Sequence, residues 1–131
     1  MKTARYANPL ISNDRYTPVR ISLGRPKFRL SYRISSGLEI LYPTARMLTM
    51  DDVSIYRETY VQLLNERGLG EILTAIHKVA VPGKETLLLC FEDLRVPGNW
   101  CHRRLFTEWF QRKTGKIIEE LDEPKQQNLL F

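Results

Sequence analysis

At 131 residues, with 43% apolar and 27% charged side chains, the chain is sized for one globular domain with its own core. Two cysteines are too few for a disulfide-built scaffold, and no apolar run approaches the roughly 18 residues of a membrane span. Residues 1 to 20 hold no signal-peptide core, so a cytoplasmic location is expected, where both cysteines would stay thiols.

Residues 1–18 have no sustained period and contain Asn-Pro, Ser-Asn-Asp and Thr-Pro, which reads as a basic N-terminal arm. Val19 to Leu23 alternates and is β-branched at Val19 and Ile21, as a strand would be, before Gly24, Arg25 and Pro26 break it. Leu38 to Leu41 is a short strand candidate. From Asp51 the period turns helical, with Val53, Tyr56, Tyr60, Leu63 and Leu64 on one stripe and Gly68 as the stop. A second helix from about Gly70 carries Ile72, Leu73, Ile76, Val79 and Ala80 inward and ends at Pro82-Gly83.

Thr86 to Phe91 is the best strand candidate, because three successive leucines suit a strand covered on both faces, as in the centre of a parallel sheet. Asn99 is a plausible N-cap for a helix to about Lys113, with Leu105, Phe106, Trp109 and Phe110 inward and Thr114-Gly115 closing it. Lys116 to Leu121 reads as a last strand. The alternation predicts a small α/β sandwich over residues 19–121, with a mainly parallel β-sheet flanked by helices, followed by a tail over 122–131.

The formal charge of +5 is unevenly spread. Lys2, Arg5, Arg15, Arg20, Arg25, Lys27, Arg29 and Arg33 stand against Asp14 alone in residues 1–33, while the remainder is slightly acidic. This suits a nucleotide or nucleic acid as partner; a solvated basic face is the plainer alternative. Tyr6, Tyr16, Phe28 and Tyr32 lie among these charges, either as rings for base stacking or as core residues.

The densest chemistry lies between Thr86 and Gly115. Cys90 ends the strand, Glu92 follows, and Cys101, His102 and Arg103 open the next helix, so a folded-back loop brings them together. Three chemistries fit these residue types. A zinc or iron site would use Cys90, Cys101, His102 and Glu92 or His77, although no CxxC knuckle is present. A thiol nucleophile or redox pair would take His102 or Glu92 as base, its thiolate favoured by the helix N-terminus. An anion pocket would use that N-terminus with Arg103 as clamp. Against all three, Cys90 is also a suitable small core residue, and a Glu92–Arg103 pair would simply fix the loop.

The pattern Leu88-Leu89-Cys90-x-Glu92 followed by Cys101-His102-Arg103 resembles the signature of the domain of unknown function 488 family. That resemblance implies a compact α/β domain and makes Cys90, Glu92, Cys101, His102 and Arg103 the motif positions; it carries no settled reaction with it. Many members have Asp-x-Arg at the end of the first strand, where this chain has Ser22-Leu23-Gly24 and then Arg25, which the resemblance offers as the replacement ligand-binding arginine. The terminal Gln127-Asn128-Leu129-Leu130-Phe131 resembles the bacterial sliding-clamp-binding peptide, with Leu130 and Phe131 as anchors and Gln127 fixing register, although Asn128 replaces the usual leucine. An apolar end packed on the domain is the alternative.

These signals lead to a pocket of Cys90, Glu92, Cys101 and His102, with Arg103 and Arg25 as ligand-binding groups, that binds or processes a nucleotide or a nucleic-acid-derived anion. The alternatives are a non-enzymatic nucleic-acid-associated module recruited to the sliding clamp, and a metal-binding domain. No cofactor is specified, and no membrane partner is expected.

Overall fold

A computed structural model describes residues 1–123. Five strands, β1 (Lys2–Arg5), β2 (Tyr16–Arg20), β3 (Ser36–Gly37), β4 (Glu85–Cys90) and β5 (Glu119–Glu120), form one sheet in the order β3-β2-β4-β1-β5. Every strand pair is parallel. Three helices, α1 (Val53–Arg67), α2 (Leu69–Val79) and α3 (His102–Thr114), complete the α/β domain expected from the alternating pattern.

β4 is the centre of the sheet. Leu87, Leu88 and Leu89 are fully buried, and their side chains divide between two cores because successive residues of a strand face opposite ways. Leu88 joins Val19, Ile21 and the inner faces of all three helices, while Leu87 and Leu89 pack with Ala4, Tyr6, Tyr16 and Leu121. Leu30, Tyr32 and Ile34 cover that second cluster, to which no helix of the described residues contributes. An irregular crossover between β2 and β3 therefore does on one face what the helices do on the other.

The basic arm expected over residues 1–18 is instead part of the domain. Lys2–Arg5 pairs with β4 on one side and β5 on the other, with Thr3 and Ala4 buried. β2 begins at Tyr16 rather than Val19 and includes Pro18. The Pro18 carbonyl accepts from Ser35, so its missing N–H faces β3, which begins only at Ser36. The strand expected at Leu38 to Leu41 is a 3₁₀ turn over Glu39–Leu41.

Caps fix the helices. Asp52 Oδ1 accepts from the Ser54 and Ile55 amides and starts α1. Gly68, at φ 86°, separates α1 from α2, and Gly115, at φ 75°, ends α3 in the left-handed region where a side chain is strained. Tyr60 donates its hydroxyl to the Leu41 carbonyl at 2.7 Å, and Trp109 Nε1 donates to Asn65 Oδ1 at 2.8 Å, which joins α3 to α1. Of the inward residues expected in α2, Ile72 is buried but Leu73 is exposed.

Candidate functional site

The C-terminal ends of parallel strands leave a crevice where loops and helix starts converge. Here β4 ends at Cys90, between the ends of β1 and β2: the Tyr6 amide donates to the Cys90 carbonyl and the Ile21 amide to the Leu89 carbonyl. α3 starts directly above. Its N-cap is Cys101 rather than Asn99, with no side-chain cap bond, and His102 is its first residue. Cys101 takes the cap because Asn99 is engaged in the loop, donating its side-chain amide to the Asp93 carbonyl.

Cys90, Cys101 and His102 are all buried, and their sulfur and ring-nitrogen atoms lie within 4.8 Å of one another. The two cysteines form a disulfide with Cα atoms 7.2 Å apart, where the sequence reading expected free thiols. The pairing follows from the loop geometry, which brings a strand end and a helix start together across eleven residues.

His102 is held through one ring nitrogen and faces the sulfurs with the other. Nε2 lies 2.7 Å from the Ile21 carbonyl, which can only accept, so Nε2 carries the proton. That carbonyl is free because β4 stops at Cys90 and takes no further rung of the ladder. Nδ1 consequently presents a lone pair, 3.4 Å from Cys90 Sγ and 3.7 Å from Cys101 Sγ. Burial holds the His102 pKa down at about 4, and the Arg103 charge lowers it too, against the bond to Ile21, which raises it. The ring is therefore neutral near pH 7. Tyr60 meets it edge-on at 5.5 Å between centroids.

This cluster forms the floor of a cleft of about 460 Å³. Tyr56 and Trp100, packed edge to face at 4.6 Å, form one wall, and Phe91 belongs to the lining. Ser22, Leu23 and Gly24 approach from the loop after β2. Burial raises the Tyr56 phenol well above its usual range, so it remains protonated. Glu92 lines the cleft with its side chain exposed, and among the described residues no lysine or arginine does so.

Arg103 is not a cleft residue. It is fully buried, and its Nε and Nη2 donate to the two carboxylate oxygens of Glu120 at 3.0 and 2.7 Å. Nη2 also donates to the Glu92 backbone carbonyl at 2.7 Å. The anion clamp expected of Arg103 is thus consumed within the fold, and its carboxylate partner is Glu120 rather than Glu92. The forked guanidinium ties α3 to β5 and to the loop that follows β4. His77 is exposed on α2 and does not belong to the cluster. Arg25 is exposed one residue beyond the cleft-lining Gly24. Gln127, Leu130 and Phe131 lie outside the described residues.

The loop from Phe91 to Trp100 is braced from below. Asp93 pairs with Arg95 at 2.9 Å and with Arg5 at 3.9 Å, while Arg5 forms a forked pair with Glu123. Hydrogen bonding from Arg95 pulls the Asp93 carboxyl down to about 2.

Sequence reasoning found the three clustered residues but not Ile21 or Glu120. The first acts through its backbone carbonyl, which has no residue-type signal, and the second only through its position in the sheet. No protein-family model, curated protein or solved structure matches this chain. No helix of the described residues is long and apolar enough to cross a membrane.

Proposed function

We propose that the reduced Cys90–Cys101–His102 cluster is a metal centre for zinc, open to the cleft at its fourth position. The observation that carries this reading is the clamped tautomer of His102. Its Nδ1 lone pair faces two sulfurs that have no hydrogen to give while they are bonded to each other. Either a thiol proton or a cation satisfies that lone pair, and a cation also explains why both sulfurs are present. A carbonyl that fixes one ring nitrogen while the other faces the ligand set is the usual support of a metal-binding histidine.

The spacing from the histidine to each sulfur fits as well, and reduction frees the two sulfurs to separate. Zinc bonds of about 2.3 Å to sulfur and about 2.0 Å to nitrogen put tetrahedral ligands roughly 3.5 Å apart, against the observed 3.4 and 3.7 Å from Nδ1. Two thiolates and a neutral imidazole around a divalent ion sum to zero charge, which suits a buried site better than one unpaired thiolate. The start of α3 adds positive potential beside Cys101 and favours its thiolate form.

With three protein ligands and a cleft on the remaining side, the bound ion supplies Lewis-acid or water-activating chemistry. The chain's own residues set what can reach it. Tyr56, Phe91 and Trp100 offer apolar and aromatic contact, and Glu92 is the one carboxylate among the described lining residues to take or give a proton at the mouth. With Tyr56, Phe91 and Trp100 in its lining, the cleft suits an uncharged ring such as a nucleobase. Membership of the domain of unknown function 488 family belongs to the same reading, supported by four motif positions, Cys90, Glu92, Cys101 and His102, all lining the cleft.

A second reading rests on the disulfide itself. Cys90 and Cys101 act as a thiol–disulfide couple: a dithiol reductant breaks the sulfur–sulfur bond, two thiols form, and the reductant leaves as its own disulfide. The test is anaerobic reduction followed by titration with Co²⁺. Intense thiolate-to-cobalt absorption at one equivalent, displaced by Zn²⁺ and lost in Cys101→Ser, is the expected result. No such absorption in fully reduced protein would overturn the metal reading and leave the redox couple.

A further inference from the structure

We infer that the crossover from Arg25 to Arg33 is a binding surface for single-stranded nucleic acid, with the phosphate backbone lying along a file of cations and a base stacked on Phe28. The inference concerns a different surface from the metal centre and does not depend on it.

Exposure along this segment alternates. Pro26, Leu30, Tyr32 and Ile34 are partly buried, and the last three pack on the second core cluster. Between them, Arg25, Lys27, Arg29 and Arg33 are exposed. The apolar residues thus hold the segment against the sheet and turn its basic residues to solvent on one side. Two anchors fix its course: Tyr32 donates its hydroxyl to the Tyr6 carbonyl, and the Arg33 amide donates to Asn13 Oδ1.

No ion pair among the described residues neutralises any of these four cations. Other basic residues of the first third are engaged: Arg5 with Glu123 and Asp93, and Arg20 with the Ser22 and Leu23 carbonyls. Four of the eight basic residues of 1–33 therefore stand exposed along this one crossover. Phe28 departs from the alternation. It is 49% exposed in the middle of the cations, whereas Tyr6 and Tyr16, its fellow stacking candidates, are buried in the core.

An unpaired cation file with one exposed ring matches the chemistry of a single strand, whose phosphates need cations and whose unstacked bases need a flat apolar face. A duplex hides its base faces, and the ring would have nothing to meet. The file also begins at the cleft, since Gly24 lines it and Arg25 follows. A strand on this surface would bring a neighbouring base to the cleft mouth.

The test is fluorescence anisotropy of the full chain with a labelled single-stranded oligonucleotide over a range of salt. Neutralising four phosphates predicts a slope of log K against log salt of about −2.8, and the triple variant K27A/R29A/R33A, keeping one contact, about −0.7. Phe28→Ala should weaken binding about tenfold while leaving the slope unchanged. All these positions are exposed or partly exposed, and circular dichroism of each variant should match the parent. Equal binding of parent and triple variant would overturn the inference. So would equal affinity for a duplex of the same sequence, or binding to anionic lipid vesicles with none to the oligonucleotide.

Discussion

The 2.7 Å hydrogen bond from His102 Nε2 to the Ile21 carbonyl joins the first residue of α3 to the residue that follows β2, and it determines which nitrogen faces the sulfurs. His102→Phe keeps an aromatic ring against Tyr60 but removes both polar contacts. The buried Ile21 carbonyl then has no donor, at a cost of about 1–3 kcal/mol. Reduced protein carrying this change should also lose at least about tenfold in Co²⁺ affinity. Thermal unfolding measures the first effect and metal titration the second; unchanged metal affinity would remove His102 from the ligand set.

Arg103 and Glu120 are unequal partners, because the guanidinium is fully buried while the carboxylate side chain is 29% exposed. Glu120→Leu strands a buried cation and should destabilise by about 3–5 kcal/mol. Arg103→Met leaves a carboxylate that water can still reach, so its cost should be smaller. The double variant should recover much of the Glu120→Leu loss, since neither charge then remains unpaired. Denaturant unfolding of the four proteins checks the order, and additive losses would contradict it.

The parts legible in the sequence are those written as local pattern. Leu87 to Leu89 marked the central strand, the Tyr56, Tyr60 and Leu64 stripe marked α1, and the spacing of Cys90 from Cys101 and His102 marked the cluster. β1 was not legible, because Lys2–Arg5 is four residues long with no apolar run; its burial comes from β4 and β5 on either side. Pro18 argued against a strand that its position relative to β3 permits. The Arg103–Glu120 pair was hidden for a related reason: it requires knowing that β5 lies beside β1, and no short-range pattern carries sheet order. The crossover's alternation from Leu30 to Ile34 was present in the residues, but a basic segment without a helical or strand context does not announce which side is covered.

Tyr60 separates packing at the site from its chemistry. Its hydroxyl bonds to the Leu41 carbonyl, on the side of the ring away from any role in the ligand set. Tyr60→Phe should cost about 1–2 kcal/mol through that buried carbonyl while preserving the edge-on contact with His102. Metal affinity of the reduced protein should stay within about twofold of the parent. A large loss would mean that the Tyr60 hydroxyl, and not only its ring, positions His102.

Asp93 gives the cleft loop a defined response to acid. Its carboxyl titrates at about 2 in the fold, chiefly because Arg95 donates to it, against about 3.9 in an unfolded chain. Between these values the unfolded state binds the proton and the folded state does not, so the contribution of Asp93 to stability is complete above about pH 4 and is lost as pH falls towards 2. Asp93→Asn lacks the group and should lack the effect. Parent and variant should therefore differ in unfolding free energy at pH 5 and converge as pH approaches 2. At pH 7 the variant should also exchange the Val96 amide faster, because that amide donates to the Asp93 carbonyl within the braced turn. A difference that stays constant from pH 5 to 2 would show that the carboxylate does not brace the loop.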